Sequence, residues 1–156
     1  MIEFKVQGSQ SPKSKVQSST GMGQIKRFEE IEAWKEARIL ANRIYELSDM
    51  GSFSKDFGLR DQMRRAVVSI LSNIAEGFER GGDKKFFQFL AHGKDSAGEL
   101  RAQLYIALDR GYLPNSEFED LCEHGIRISR MISGLMEYLR RFRRLTLDVG
   151  LWTLDL

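Results

Sequence analysis

Between Phe28 and Arg144 the chain has a single proline, Pro114, and apolar residues recur there every three or four positions. So long a stretch without the strongest helix breaker, carrying a helical period, folds as amphipathic helices. Four runs are predicted. The first spans about Glu29 to Met50, with Ile31, Trp34, Ala37, Ala41 and Ile44 on one face. The second spans about Arg60 to Phe78, with Met63, Val67, Ile70, Ile74 and Phe78 as its stripe and Gly77, Gly81 and Gly82 ending it. The third begins near Asp83, a plausible N-cap, and carries Phe86, Leu90, Ala97, Leu100, Leu104 and Leu108. Gly111 stands at its expected C-cap, and Pro114 blocks continuation. The fourth opens on the S-x-x-E spacing of Ser116 and Glu119, a capping box, and carries Leu121, Ile128, Ile132, Leu135, Leu139 and Phe142. Four helices joined by short loops favour an all-α, up-down-up-down antiparallel four-helix bundle over residues 25–144.

The ends read differently. Residues 1–24 are rich in Ser, Gln, Gly and Lys without a period and are expected to be disordered, with Met22 an alternative start. Residues 145–156, LTLDVGLWTLDL, nearly alternate as a strand would, but no second strand is predicted to pair with them; an irregular tail is expected. Residues 10–18 and 146–154 can also be encoded by complementary codons at every position but Lys15 against Val149. That relation points to an inverted repeat at the ends of an inserted, mobile element rather than to tails shaped for folding.

Lys plus Arg number 24 against 22 Asp plus Glu, a net charge of +2, so the distribution of charge decides about polyanions, not its sum. The lone cysteine, Cys122, makes no internal disulfide. No stretch has the apolar continuity of a signal peptide or a membrane span, and a cytoplasmic protein is expected.

Bundle cores can hold di-iron sites built from Glu and Glu-x-x-His. Here the residues three before His92 and His124 are Phe89 and Leu121, so that class is not indicated. Cys122 and His124 are two apart and point to different helix faces, which disfavours a nucleophile pair. No phosphate-binding glycine pattern occurs. Neither a catalytic residue, a metal nor a cofactor is expected.

Two surfaces attract attention. Phe87 and Tyr105 lie five full turns apart on the third helix, off its main stripe. They suit either an oligomer contact or the edge of the monomer core. In the antiparallel bundle one end would gather Lys26, Arg27, Arg80, Lys84, Lys85, Arg140, Arg141, Arg143 and Arg144, together with Glu29, Glu30, Glu79, Asp83 and Glu137. This is either a nucleic-acid-binding patch or, for the arginines, a complement to a helix dipole. A polar stripe of Ser69, Ser72, Asn73 and Glu76 reads more simply as helix-boundary contacts than as a binding surface.

The segments FEEIEAWKEARILANRIYEL (28–47), FGLRDQMRRAVVSILSNIAEGFERG (57–81) and FFQFLAHGKDSAGELRAQLYIALDRGYL (86–113), with SNIAEG as their most specific part, resemble the 23S rRNA intervening-sequence proteins, also called S23 proteins. This chain has Leu71 where the family often has Pro, and Gly82 where it often has Ser. The resemblance implies a four-helix bundle assembled as a homopentamer, with genes often lying inside 23S rRNA genes. A related branch, the accessory variability proteins of diversity-generating retroelements, binds a reverse transcriptase and nucleic acid. No catalytic residue carries over. The resulting expectation is a non-enzymatic homo-oligomer associated with RNA or DNA through its basic end; the alternative is a structural or protein-binding accessory module.

Overall fold

Helix termini explain where the chain turns. The computed structural model describes the backbone of residues 25–152 and the side chains of residues 25–141; the disorder expected for residues 1–24 lies outside this range. A 3-10 turn, Phe28–Glu30, leads into α1 (Glu32–Ser48). A second 3-10 turn, Gly51–Lys55, leads into α2 (Phe57–Glu79), followed by α3 (Asp83–Asp109) and α4 (Asn115–Trp152). The fold is the all-α four-helix bundle read from the periodicity, without a strand among the described residues.

Asp56 caps α2: its carboxylate accepts from the Leu59 amide at 3.1 Å. Its other oxygen accepts from the Tyr112 hydroxyl at 2.9 Å, and the Tyr112 ring stacks on Phe53 at 5.1 Å. One side chain thus caps a helix and ties the loop after α3 to the loop after α1. Gly111, at φ +72°, ends α3 in the left-handed conformation. The Tyr112 amide reaches back to the Ala107 carbonyl and the Gly111 amide to Leu108, both at 2.9 Å, which is a Schellman closure.

The predicted stripes supply most of the core, with Leu40, absent from the predicted stripe of the first helix, added to them and Trp34, Phe78 and Leu135 packed at its edge. Ala37, Leu40, Ile44, Met63, Ile70, Leu90, Leu100, Leu104, Leu121 and Ile128 are fully buried or within a per cent of it. The tightest crossing is between α2 and α3. A methyl group on Gly77 would lie 2.5 Å from Phe89 Cβ, and one on Gly93 would lie 3.4 Å from the Ile70 carbonyl. Gly77 is therefore not a helix terminator, as its sequence position suggested. It lies within α2, where only a hydrogen lets the two backbones approach.

Three further boundaries differ from the sequence reading. Gly82, not Asp83, is the N-cap of α3; Asp83 is its first residue, where a carboxylate still favours the helix dipole. The fourth helix begins at Asn115, with the Phe118 amide bonded to the Pro114 carbonyl at 3.1 Å. Ser116 is thereby inside the first turn and does not occupy the capping-box position. Residues 145–152, expected to be irregular, continue α4 as helix. The near-alternation there hides a helical spacing through Leu145, Val149 and Trp152, and extending an existing helix avoids the nucleation cost of starting one.

Candidate nucleic-acid interface

Of the cations singled out above, Arg80, Lys84, Lys85 and Arg140 come together around the first turns of α3, whereas Lys26 and Arg27 precede α1, whose start stands opposite about residue 128 of α4. Packing shows how they are placed. The Arg140 guanidinium lies 5.6 Å above the Phe87 ring, which brings α4 onto the first turns of α3 beside Lys84 and Lys85. The Arg80 guanidinium lies 5.5 Å above Phe89, on the same part of α3. Arginine on an aromatic face keeps its N–H groups available at the ring's edge while its apolar stem is covered.

Carboxylates hold several of these cations. Arg27 meets Glu29 at 3.2 Å, Arg80 meets Glu76 at 2.9 Å, and Glu137 takes Arg141 at 3.2 Å and Arg140 at 3.6 Å. The Lys26 amide bonds the Glu30 carboxylate. The Glu29 carboxyl is held below its ordinary value because it accepts a hydrogen bond from its own residue's backbone amide and another from Arg27. Lys84 and Lys85 are exposed and make no ion pair among the described residues. Arg143 and Arg144 lie on the α4 backbone, outside the described side chains. Because α4 continues to Trp152, the arginines at 140, 141, 143 and 144 are not in its last turn. A helix dipole acts within the last turn, so it does not account for them.

Phe87 and Tyr105 share the α3–α4 seam. Phe87 is half-buried beneath Arg140. Tyr105 is 57% exposed and meets Phe118 edge-on at 4.8 Å. In the polar stripe of α2, Ser69 shares a hydrogen bond of 2.8 Å with Ser96 of α3, and Asn73 donates to the Ser69 carbonyl and hydroxyl. These are helix-boundary contacts. Glu76 serves Arg80, and Ser72 is exposed.

One polar cluster escaped sequence reading. His124 on α4, only 4% exposed, lies with Nε2 2.6 Å from the Glu36 carboxylate of α1. Its Nδ1 is 3.4 Å from Arg43, which also binds Asp120 at 2.6 Å. Since arginine only donates, Nδ1 accepts and Nε2–H donates to Glu36. The partners come from a helix far off in sequence, so no local motif could reveal them. They lock α1 to α4, and among the described residues there is no group of three or more potential metal ligands. Burial pushes the Cys122 thiol up from its ordinary value, partly offset by Arg101, which keeps it in the unreactive thiol form near neutrality. No helix among the described residues is long and apolar enough to cross a membrane.

The family model for 23S rRNA-intervening sequence proteins matches residues 29–134. Among solved structures, a protein with unknown function from the S23 ribosomal protein family of Bacteroides thetaiotaomicron VPI-5482 matches with a TM-score of 0.63. The two are 19% identical, and the match covers 67% of this chain and 95% of that one. Likeness at that identity is one of fold. No curated protein matches the chain.

Proposed function

The chain belongs to the family of 23S rRNA-intervening sequence proteins, and from that premise we propose that it is a non-enzymatic, self-assembling bundle that holds nucleic acid, RNA in the first place, against its basic end. The observation that carries the reading is the state of the cations there. Lys84 and Lys85 are exposed without an ion pair among the described residues, beside Arg140 and its neighbours, which lie where no helix dipole calls for them. The carboxylate pairs at this end are exposed surface pairs, weak in water and screened by salt, so phosphates can displace them. No base-reading element is evident, so binding is largely independent of sequence. Assembly is part of the proposal. The resemblance suggests five copies, and repeating a weak phosphate patch around a ring multiplies its hold on one long polyanion. A reverse transcriptase is the protein partner that the resemblance to accessory variability proteins suggests.

The test replaces Arg140, Arg141, Arg143 and Arg144 together by Ser. Affinity for a single-stranded RNA should fall and its salt dependence flatten, with helicity and mass unchanged. Unaltered affinity would remove the basic end from the proposal and favour a protein-binding accessory module.

A further inference from the structure

Two of the arginines at this end do more than carry charge. Arg80, the C-cap of α2, lies over the Phe89 ring at 5.5 Å, and Arg140 of α4 lies over the Phe87 ring at 5.6 Å. Both distances are within reach of a cation–π contact. Phe89 meets its arginine on the α2 side of α3 and Phe87 on the α4 side, so the two stacks bracket the first turns of α3. Lys84 and Lys85 stand exposed in those same turns. A helix with its side chains is about 10–12 Å across, so a short run of nucleotides reaches both stacks.

The bundle, not the arginines, holds the rings. Phe87 packs against the core, and the root of Phe89 presses on α2 where Gly77 has no side chain. Each guanidinium thus turns one face to a fixed ring. The carboxylates nearby do not cover the other face. Glu76 accepts an N–H of Arg80 at 2.9 Å, and such groups lie in the guanidinium plane. Glu137 stands 3.6 Å from Arg140, beyond a hydrogen bond. The two side chains are 56% and 58% exposed, which leaves the outer faces to solvent. A planar cation with one face on a ring and the other in water is a seat for a second planar π system. Unpaired bases stack on guanidinium planes as they do on aromatic rings, and every base has a face to offer. Charge alone makes a modest patch here, because Glu76, Glu79, Asp83 and Glu137 stand among Arg80, Lys84, Lys85, Arg140 and Arg141.

We propose that this site takes single-stranded rather than double-stranded nucleic acid, with unpaired bases stacked on the outer faces of Arg80 and Arg140 and the phosphates between them at Lys84 and Lys85. This stacking presupposes the nucleic-acid binding proposed above and names the form of strand that is bound. A duplex keeps its bases stacked on one another and offers the site only its backbone.

The full chain is titrated at low salt, by fluorescence anisotropy, with three probes of equal phosphate number: a short unstructured RNA, an abasic ribose-phosphate strand and an RNA hairpin duplex. The unstructured RNA should bind on the order of tenfold more tightly than either of the others, the gain from about one stacked base. Equal affinity for the three, or tighter binding of the hairpin, overturns the stacking while phosphate binding stands. No binding of any probe overturns the nucleic-acid reading and the stacking with it. A chain with Arg80→Lys and Arg140→Lys keeps both charges and loses the planar faces. Its affinity for the unstructured RNA should fall to that for the abasic strand, which should itself be unchanged, with the thermal transition in place. An undiminished preference for the unstructured RNA in that variant overturns the assignment to Arg80 and Arg140.

Discussion

Glycine-to-alanine substitutions in this bundle should have opposite signs at two positions. Inside a helix, alanine is favoured over glycine by about 0.5–1 kcal/mol, because glycine loses more backbone freedom on folding. At Gly98 of α3 nothing lies within 4 Å of the added methyl group, so Gly98→Ala should gain that amount. At Gly77 the methyl would meet Phe89 Cβ at 2.5 Å and Phe86 Cδ2 at 3.1 Å. The first of these is the root of a side chain and cannot rotate away, so α2 and α3 must separate. Overpacking of this kind costs about 1–3 kcal/mol, more than the propensity gain. A net loss of roughly 1–2 kcal/mol corresponds to a fall in Tm of about 2–8 °C, against a rise of about 1–4 °C for Gly98→Ala. Thermal melts of the two variants and the parent, followed by circular dichroism, give the comparison. A Gly77→Ala protein as stable as Gly98→Ala would refute the close approach of α2 and α3.

Two further expectations follow from local geometry. Asp56→Ala removes both the α2 cap and the acceptor for Tyr112, and should cost about 1–3 kcal/mol in urea unfolding, more than Asp61→Ala on the exposed face of the same helix. Cys122, its thiol raised by burial, should alkylate more slowly than a free thiol at pH 7 in the folded protein, with the rate climbing as pH rises through the shifted value. Denaturant should abolish the difference.

The helices were legible because their signals are local. Periodicity exposed the stripes through Ile70 or Leu104, and Gly111 with Pro114 marked a terminus by backbone chemistry alone. What failed depended on partners that the sequence does not display. Gly77 looks like a stop signal until Phe89 is known to press against it. His124 looks like an isolated histidine until α1 brings Glu36 and Arg43 to either side of its ring. The C-terminal turns of α4 satisfy a strand-like and a helix-like period at once, and only the continuous helix before them decides between the two. Of the candidate interface, the gathering of α2, α3 and α4 cations at one end followed directly from up-down topology. Which of them carboxylates occupy did not, because it depends on side-chain conformation, as where Glu137 meets both Arg140 and Arg141.

The most direct measurement is the affinity of the purified full chain for an unstructured single-stranded RNA, by fluorescence anisotropy, at several salt concentrations. About four phosphate contacts per subunit, the number that Lys84, Lys85, Arg140 and Arg141 could make, give a slope near −2.8 in log affinity against log salt, or roughly a 50-fold loss between 50 and 200 mM. Binding with a slope of that order, abolished when these residues are neutralised, is the expected result. An absence of binding at 50 mM salt, or binding that ignores salt, would contradict a role in holding nucleic acid at this end.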